Sequence, residues 1–396
     1  MAALNWLVFV AVTVASSALL MALGARVAGF TTLNTEEHWT VVARRYWPAR
    51  RGVSMAGKVV PVAVGGVLGW QVENLPLAIA GAAAAYLGIA LVALRMGRAI
   101  KPGFGWRDYL RSLQMGFVHR WSWLLVVLLF VPLCSDSFDR TTILVLTLGA
   151  FVLVLYFRHG VLVVERLLGL QESPPERLKQ IVSAVSTRLG RSEPRVRVLS
   201  WSAVQAFAYM GADTITVSRG ALECLSDAHL EAAVAHEIGH LQETPTKQLL
   251  LNLSGMPLIG LAAYFPIVEQ YNVGVYVVTV IACWWAGGFV ALSARGLDPK
   301  ALEKRADEVA QGHVAPGIYA AALERVHQVH LVPVVLDHED SPKHPSLYDR
   351  MKAAGVAPAY ERPEPPSVNL RTLAVAFPLV GTVALVATAI SAGFVR

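Results

Sequence analysis

The run Ala235-His-Glu-Ile-Gly-His240 carries side chains of the types and spacing needed for metal-assisted hydrolysis. On a helix, His236 and His240 fall on one face, one turn apart. That spacing suits two ligands of a single tetrahedral Zn²⁺. Glu237 then stands beside the open position, where a carboxylate can take a proton from water. The neighbouring residues predict the helix itself, over about 227–243. Ser226 can cap its start, Asp227 favours the positive end of the dipole, and Leu230, Ala233, Val234 and Ile238 form an apolar stripe at helical spacing. With 11 histidines in 396 residues, such a run would arise by chance on the order of once in a hundred chains. The helical context is what lifts it above coincidence.

Two histidines do not hold a catalytic zinc, so a third ligand must come from elsewhere. Glu303, in Glu-Lys-Arg-Ala-Asp, precedes Asp307 by one helical turn, so the two carboxylates share a face. One can bind metal while the other accepts the free N–H of a liganding histidine. His344-Pro345-Ser346, with Arg350 beyond it, is a second candidate group, able to stabilise the oxyanion of a tetrahedral intermediate or simply to form a turn. His229, His313, His327, His330 and His338 have no comparable context and are expected on the surface or in packing.

These residues must be positioned by an unusual chain. It is 55% hydrophobic and only 16% charged, with a mean hydropathy of +0.50, and its continuous apolar runs point to a polytopic membrane protein. The net charge of +6 is no sign of nucleic-acid binding, because the basic residues cluster in loops beside apolar segments, as on a cytoplasmic face. Cys134, Cys224 and Cys283 are odd in number and far apart, and give neither a disulfide framework nor a zinc pattern.

Apolar spans are expected at 4–24, 59–72, 75–94, 121–133, 142–157, 248–268, 273–293 and 372–393, eight crossings with both termini outside. The first has no basic residue before it and is expected to be an uncleaved anchor. The short 59–72 is the weakest span and could be re-entrant. The expected fold class is mainly α, a polytopic membrane protein with a cytoplasmic-face α+β metalloprotease domain split by a transmembrane hairpin. Its parts are the membrane region 1–157, the first half of the catalytic domain 158–246, the hairpin 247–293, the second half 294–370 and a final membrane helix 371–396. Within the first half, Ser173-Pro-Pro-Glu176 starts a helix, 195–200 alternates as a strand does, and 206–209 with 214–217 reads as a β-hairpin. Because 248–293 crosses twice, Glu303 returns to the side of the membrane that holds His236.

The order Gln205-Ala-Phe-Ala208, Thr214-Ile-Thr-Val217, AHEIGH, a membrane hairpin, EKRAD and HPS resembles the membrane-bound zinc endopeptidases that include HtpX and the CaaX prenyl proteases. The resemblance covers roughly residues 170–350. It implies that His236, His240 and Glu303 bind one zinc ion and that Glu237 is the general base. It also implies that Asp307 supports the ligands and that His344, together with Arg350, stabilises the oxyanion. Gln205 stands where the family commonly has Asn, and Lys304 where it has an aromatic residue. Five spans before the HExxH helix look more like the CaaX proteases than like HtpX. The implied partners are a membrane-associated polypeptide substrate and the lipid bilayer, with no nucleic acid; the residues give no oligomeric state. The basic loops lean towards a bacterial inner membrane with the site on the cytoplasmic side. A transporter holding structural zinc would place charges inside its spans, and 59–72, 75–94, 121–133, 142–157, 248–268 and 273–293 contain none. A sensor protease that cuts a regulator would want an external sensing domain, and the external loops are short.

Overall fold

The computed structural model describes residues 2–31, 36–72, 75–120, 122–130, 133, 139–243, 299–336 and 345–392. In chain order the N-terminal helices are α1 (Ala2–Val27), α2 (Trp39–Val72), α3 (Leu75–Ile100), α4 (Trp106–Arg120), α5 (Trp123–Phe130), α6 (Arg140–Leu155) and α7 (Val161–Leu167). The catalytic part follows as β1 (Gln171–Glu172), α8 (Glu176–Arg188), β2 (Arg195–Leu199), β3 (Ala206–Tyr209), β4 (Thr214–Ser218), α9 (Arg219–Cys224) and α10 (Asp227–Leu241). After residue 298 come α11 (Pro299–Gln311), α12 (Pro316–His330), α13 (Leu347–Ala353) and α14 (Val368–Ser391).

Among the described residues, five stretches are long and apolar enough to cross a membrane: Trp6–Val27, Trp39–Gly69, Pro76–Ile100, Arg140–Leu167 and Val368–Ser391. The protein is mainly helical, with these spans beside a sheet-containing domain. Helices α1, α2, α3 and α14 pack together around one apolar core that includes Met21, Val60, Leu68, Ile89 and Val386. Small residues permit that packing. A Cβ on Gly88 would sit 2.5 Å from the Val14 carbonyl oxygen, and one on Gly52 would sit 2.4 Å from the Ala374 side chain, so both contacts require glycine.

Two expected boundaries move. The segment 59–72 is the second half of a continuous helix that begins at Trp39 and carries Pro48 and Pro61 inside it. Its first half bears Arg44, Arg45 and Arg50, which can stay helical because partners meet them there. Arg44 pairs with Glu364, Arg45 with Glu37, and Arg50 donates to the His330 carbonyl. The helix expected to end at 157 continues through a π-helical turn, Tyr156–Gly160, to Leu167, so Arg158 lies within a helix. The expected spans 248–268 and 273–293 lie outside the described residues, as does part of 121–133.

The sheet runs in the order β1-β2-β4-β3, with β2 and β4 parallel and the outer pairs antiparallel. The period of two sorts its side chains. Val198, Ile215 and Val217 face α8 and α10 in the main core, joined by Leu178, Val182, Leu230, Val234 and Ile238. Leu199 and Phe207 face the other way, with Met115 and Val118 of α4. Strand β3 is an edge of this sheet, so among the described residues one row of its backbone groups has no neighbouring strand.

Candidate metal centre

Helix α10 starts as its sequence requires. The Ser226 hydroxyl accepts the His229 N–H, and Asp227 sits in the first turn. Leu230, Val234 and Ile238 bury one stripe, which leaves His236 and His240 on the side turned towards α11. The two imidazoles stand edge to face with ring centres 4.8 Å apart.

Gly239 explains how α11 reaches them. A Cβ at this position would lie 2.8 Å from the Ala306 Cα and 3.2 Å from the Val309 Cβ, so the two helix backbones meet there at a distance only glycine allows. Ala306 is buried against the glycine, and Glu303 and Asp307, a turn apart, are carried to the histidines. Glu303 Oε2 lies 3.6 Å from His236 Nε2, and Glu303 Oε1 lies 3.4 Å from His240 Nε2. Ligand atoms of His236, His240 and Glu303 all fall within 4.8 Å of one another. Bonds of about 2.0–2.2 Å around a tetrahedral ion place neighbouring ligand atoms roughly 3.3–3.6 Å apart. The two histidine–glutamate distances match that edge, and two nitrogens with one carboxylate are a donor set zinc accepts, so the residues fit the ion. Glu237, on the same helix, is buried beside them.

Asp307 ties the site to two further helices. Its Oδ1 lies 3.0 Å from His236 Nδ1, a close contact that falls short of an aligned hydrogen bond, on the ring edge opposite the nitrogen facing Glu303. Arg350 of α13 grips the same carboxylate as a fork, Nε donating to Oδ2 at 2.8 Å and Nη2 to Oδ1 at 2.6 Å. Tyr319 of α12 donates its hydroxyl to Asp307 Oδ1 and accepts from Arg350 Nη2 at 2.9 Å. Burial works to raise the Asp307 pKa, but His236 and Arg350 hold it down at about 2. Burial also opposes charge on His236, yet Asp307 and Glu303 hold its imidazole up at about 9.

The expected residues thus separate into three groups. His236, His240 and Glu303 converge, with Glu237 and Asp307 adjoining them. Arg350 does not stand free beside an oxyanion position. A buried guanidinium takes the nearest carboxylate, and its fork lies on Asp307. His344 and His338 lie outside the described residues. Sequence reasoning missed Tyr319, because a lone tyrosine among the apolar positions of α12 reads as core. His327 and His330 are packing residues: burial, then nearby cations (Arg350 for His327; Arg50 and Lys101 for His330), push both pKa values down to about 4. His330 Nε2 accepts the Val204 N–H at 2.9 Å, just ahead of β3.

The family model of Peptidase family M48 matches residues 172–356, a range that contains every residue of this cluster. The match covers 185 of the 396 residues, 172 to 356 inclusive and a little under half of the chain, and through it this segment is similar to peptidase family M48. The M48-like segment, beside five helices of membrane length, supports a membrane metallopeptidase. Among solved structures it is similar to that of Ste24p from S. mikatae, at 14% sequence identity, over 89% of this chain and 98% of that one, with a TM-score of 0.44. No curated protein sequence matches the chain.

Proposed function

We propose that this protein is an integral-membrane, zinc-dependent endopeptidase of the M48 type that cuts membrane-associated, unfolded or lipidated polypeptides. The observation that carries the reading is the His236–His240–Glu303 triangle, at tetrahedral spacing along both histidine–glutamate edges, with Glu237 buried on the same helix. Zinc bound there supplies Lewis acidity, bringing the pKa of water to about 7 and polarising the scissile carbonyl. Glu237 takes the proton of the attacking water and passes it to the leaving amine. Asp307 orients His236, so that Nδ1 faces that carboxylate and Nε2, which faces Glu303, would be left to hold the metal. Arg350 and Tyr319 hold Asp307 from behind and act through it. The oxyanion role falls to His344. An extended substrate pairs with the open edge of β3, which requires it to be unfolded at the cleavage point. The basic flanks of the spans favour a bacterial inner membrane with the site on the cytoplasmic side.

The test uses purified wild type and Glu237→Gln, each given an unfolded protein and a prenylated CaaX peptide, with and without a zinc chelator. Chelator-sensitive cleavage should disappear in Glu237→Gln while bound zinc, measured by elemental analysis, stays at one per chain. Undiminished cleavage by Glu237→Gln would overturn the mechanism.

A further inference from the structure

Helix α4 carries a second apolar stripe that its buried core face does not use. Its 15 residues place Trp106, Leu110, Leu113 and Phe117 at spacings of four, three and four, on one face. That face points outward. These side chains are 39%, 53%, 37% and 41% exposed. The opposite side points inward, where Met115 and Val118 are buried and polar groups meet the loop that leads into β3. Arg111 donates to the Ser200 carbonyl, and Ser112 Oγ accepts the Trp201 indole N–H at 3.1 Å. Lys101, just before the helix, donates to the Ser202 carbonyl at 3.2 Å. At the far end, His119 Nε2 lies 3.1 Å from the buried Glu165 carboxylate.

A helix that shows tryptophan, leucine and phenylalanine along one outward stripe is matched to an apolar surround. It does not span. About 20 apolar residues are needed to cross a bilayer, and this helix carries Arg107, Asp108, Arg111, His119 and Arg120. It follows the candidate span ending at Ile100 after five residues, which keeps its start close to the end of that span. Arg95, Arg98, Lys101 and Arg107 surround its start, which suits anionic headgroups.

We propose that α4 lies in the plane of the membrane as an interfacial helix, with Trp106, Leu110, Leu113 and Phe117 sunk at the boundary of headgroups and acyl chains of an anionic bilayer. Its inner face carries the 200–202 loop. The edge strand β3 is therefore seated at the membrane surface, where a polypeptide segment emerging from the bilayer can reach it. The placement of the helix stands apart from the peptidase reading; only the delivery of substrate rests on it.

The test uses the full chain in nanodiscs of phosphatidylcholine mixed with anionic phosphatidylglycerol. In a background with Cys134, Cys224 and Cys283 changed to serine, single cysteines at Leu110, Leu113 and Phe117 carry an environment-sensitive fluorophore. A cysteine at the exposed Lys179 of α8 is the control. The α4 labels should lose most of their emission to lipids brominated near the headgroup, less to lipids brominated at the chain end, and little to aqueous iodide. The Lys179 label should show the reverse. Iodide quenching of the α4 labels equal to that at Lys179 would overturn the proposal. Protection from both quenchers would overturn it too, since protein would then cover the stripe. No arm depends on catalysis, so failure here and failure of the peptidase reading are read separately.

Discussion

Gly239→Ala perturbs the metal centre without touching any of its ligands. The added Cβ would meet the Ala306 Cα at 2.8 Å, against an ordinary contact of 3.4–4 Å, so α10 and α11 must separate by about 0.6 Å, the difference 3.4 − 2.8. Glu303 rides on α11, three residues from Ala306. If the shift falls along the ligand edge, the 3.4 Å between His240 Nε2 and Glu303 Oε1 opens to about 4.0 Å, past the edge that bonds of about 2.0–2.2 Å allow. Functional constellations tolerate roughly 0.5 Å of such error, and a misplacement of about 1 Å can cost on the order of a hundredfold in rate. About a tenfold loss in zinc affinity and in cleavage rate is expected. Stability should change little. Overpacking costs about 1–3 kcal/mol, and alanine regains about 1 kcal/mol over glycine inside a helix, which leaves a net loss of about 0–2 kcal/mol. Zinc affinity is measured by competition with a chromogenic chelator, and stability by resistance to an added protease. Gly317→Ala is the control, because a Cβ there meets nothing within 4 Å. If Gly239→Ala bound zinc and cut substrate as wild type does, the close crossing would not be what positions Glu303.

Other expectations follow from the same contacts. Asp307→Asn leaves Arg350 buried without its counter-charge, a loss of about 3–5 kcal/mol, and lowers zinc affinity roughly 10- to 100-fold. Adding Arg350→Met should restore the stability but not the affinity, and a double variant no more stable than Asp307→Asn would refute the charge argument. Tyr319→Phe removes two hydrogen bonds around Asp307; it should weaken zinc binding less than Asp307→Asn does, as chelator competition would show. His330 titrates near 4 in the fold, against about 6.5 in the unfolded chain. The unfolded chain therefore binds the proton first, and stability complete above about pH 6.5 is lost as the pH falls towards 4, by as much as about 3 kcal/mol. His330→Gln should flatten that dependence in thermal melts, and an unchanged slope would assign it to other groups such as His327. Glu165→Gln weakens the grip of α7 on β3 through the Tyr209 hydroxyl, now 2.7 Å from the carboxylate. It should raise KM for an unfolded substrate more than it lowers kcat, and an equal loss in both would point to a general structural role.

What was legible in the sequence is what repeats along a single element. The HExxH helix shows itself because cap, apolar stripe and both histidines lie within 15 residues, and Glu303 with Asp307 because a helical turn separates them. Tyr319 was hidden. Its partners sit 12 residues before it and 31 residues after it, on two other helices, and nothing in the local pattern separates its hydroxyl from a core ring. Glu165 was hidden for the opposite reason. A single carboxylate in Val161-Leu-Val-Val-Glu165 reads as the polar end of an apolar run, whereas it is fully buried among His119, Gln171 and Tyr209. Arg350 shows how the two cases combine. Its place after HPS suggested a donor to the reacting carbonyl, and spacing alone could not say that a carboxylate from α11 would reach it first.

Helix α4 carries the argument furthest. Its arginines place it among the basic flanks of the spans, and its leucines give it a helical stripe, but the pattern does not state which side faces out. In a soluble protein, the hydrophobic effect would turn Leu110, Leu113 and Phe117 inward. They turn outward because Arg111, Ser112 and Lys101 meet carbonyl and indole groups of the 200–202 loop that need partners once buried. The outward stripe costs little where the surround is lipid. Satisfying that loop and facing the bilayer are therefore one arrangement, and it sets the strand offered to substrate beside the membrane.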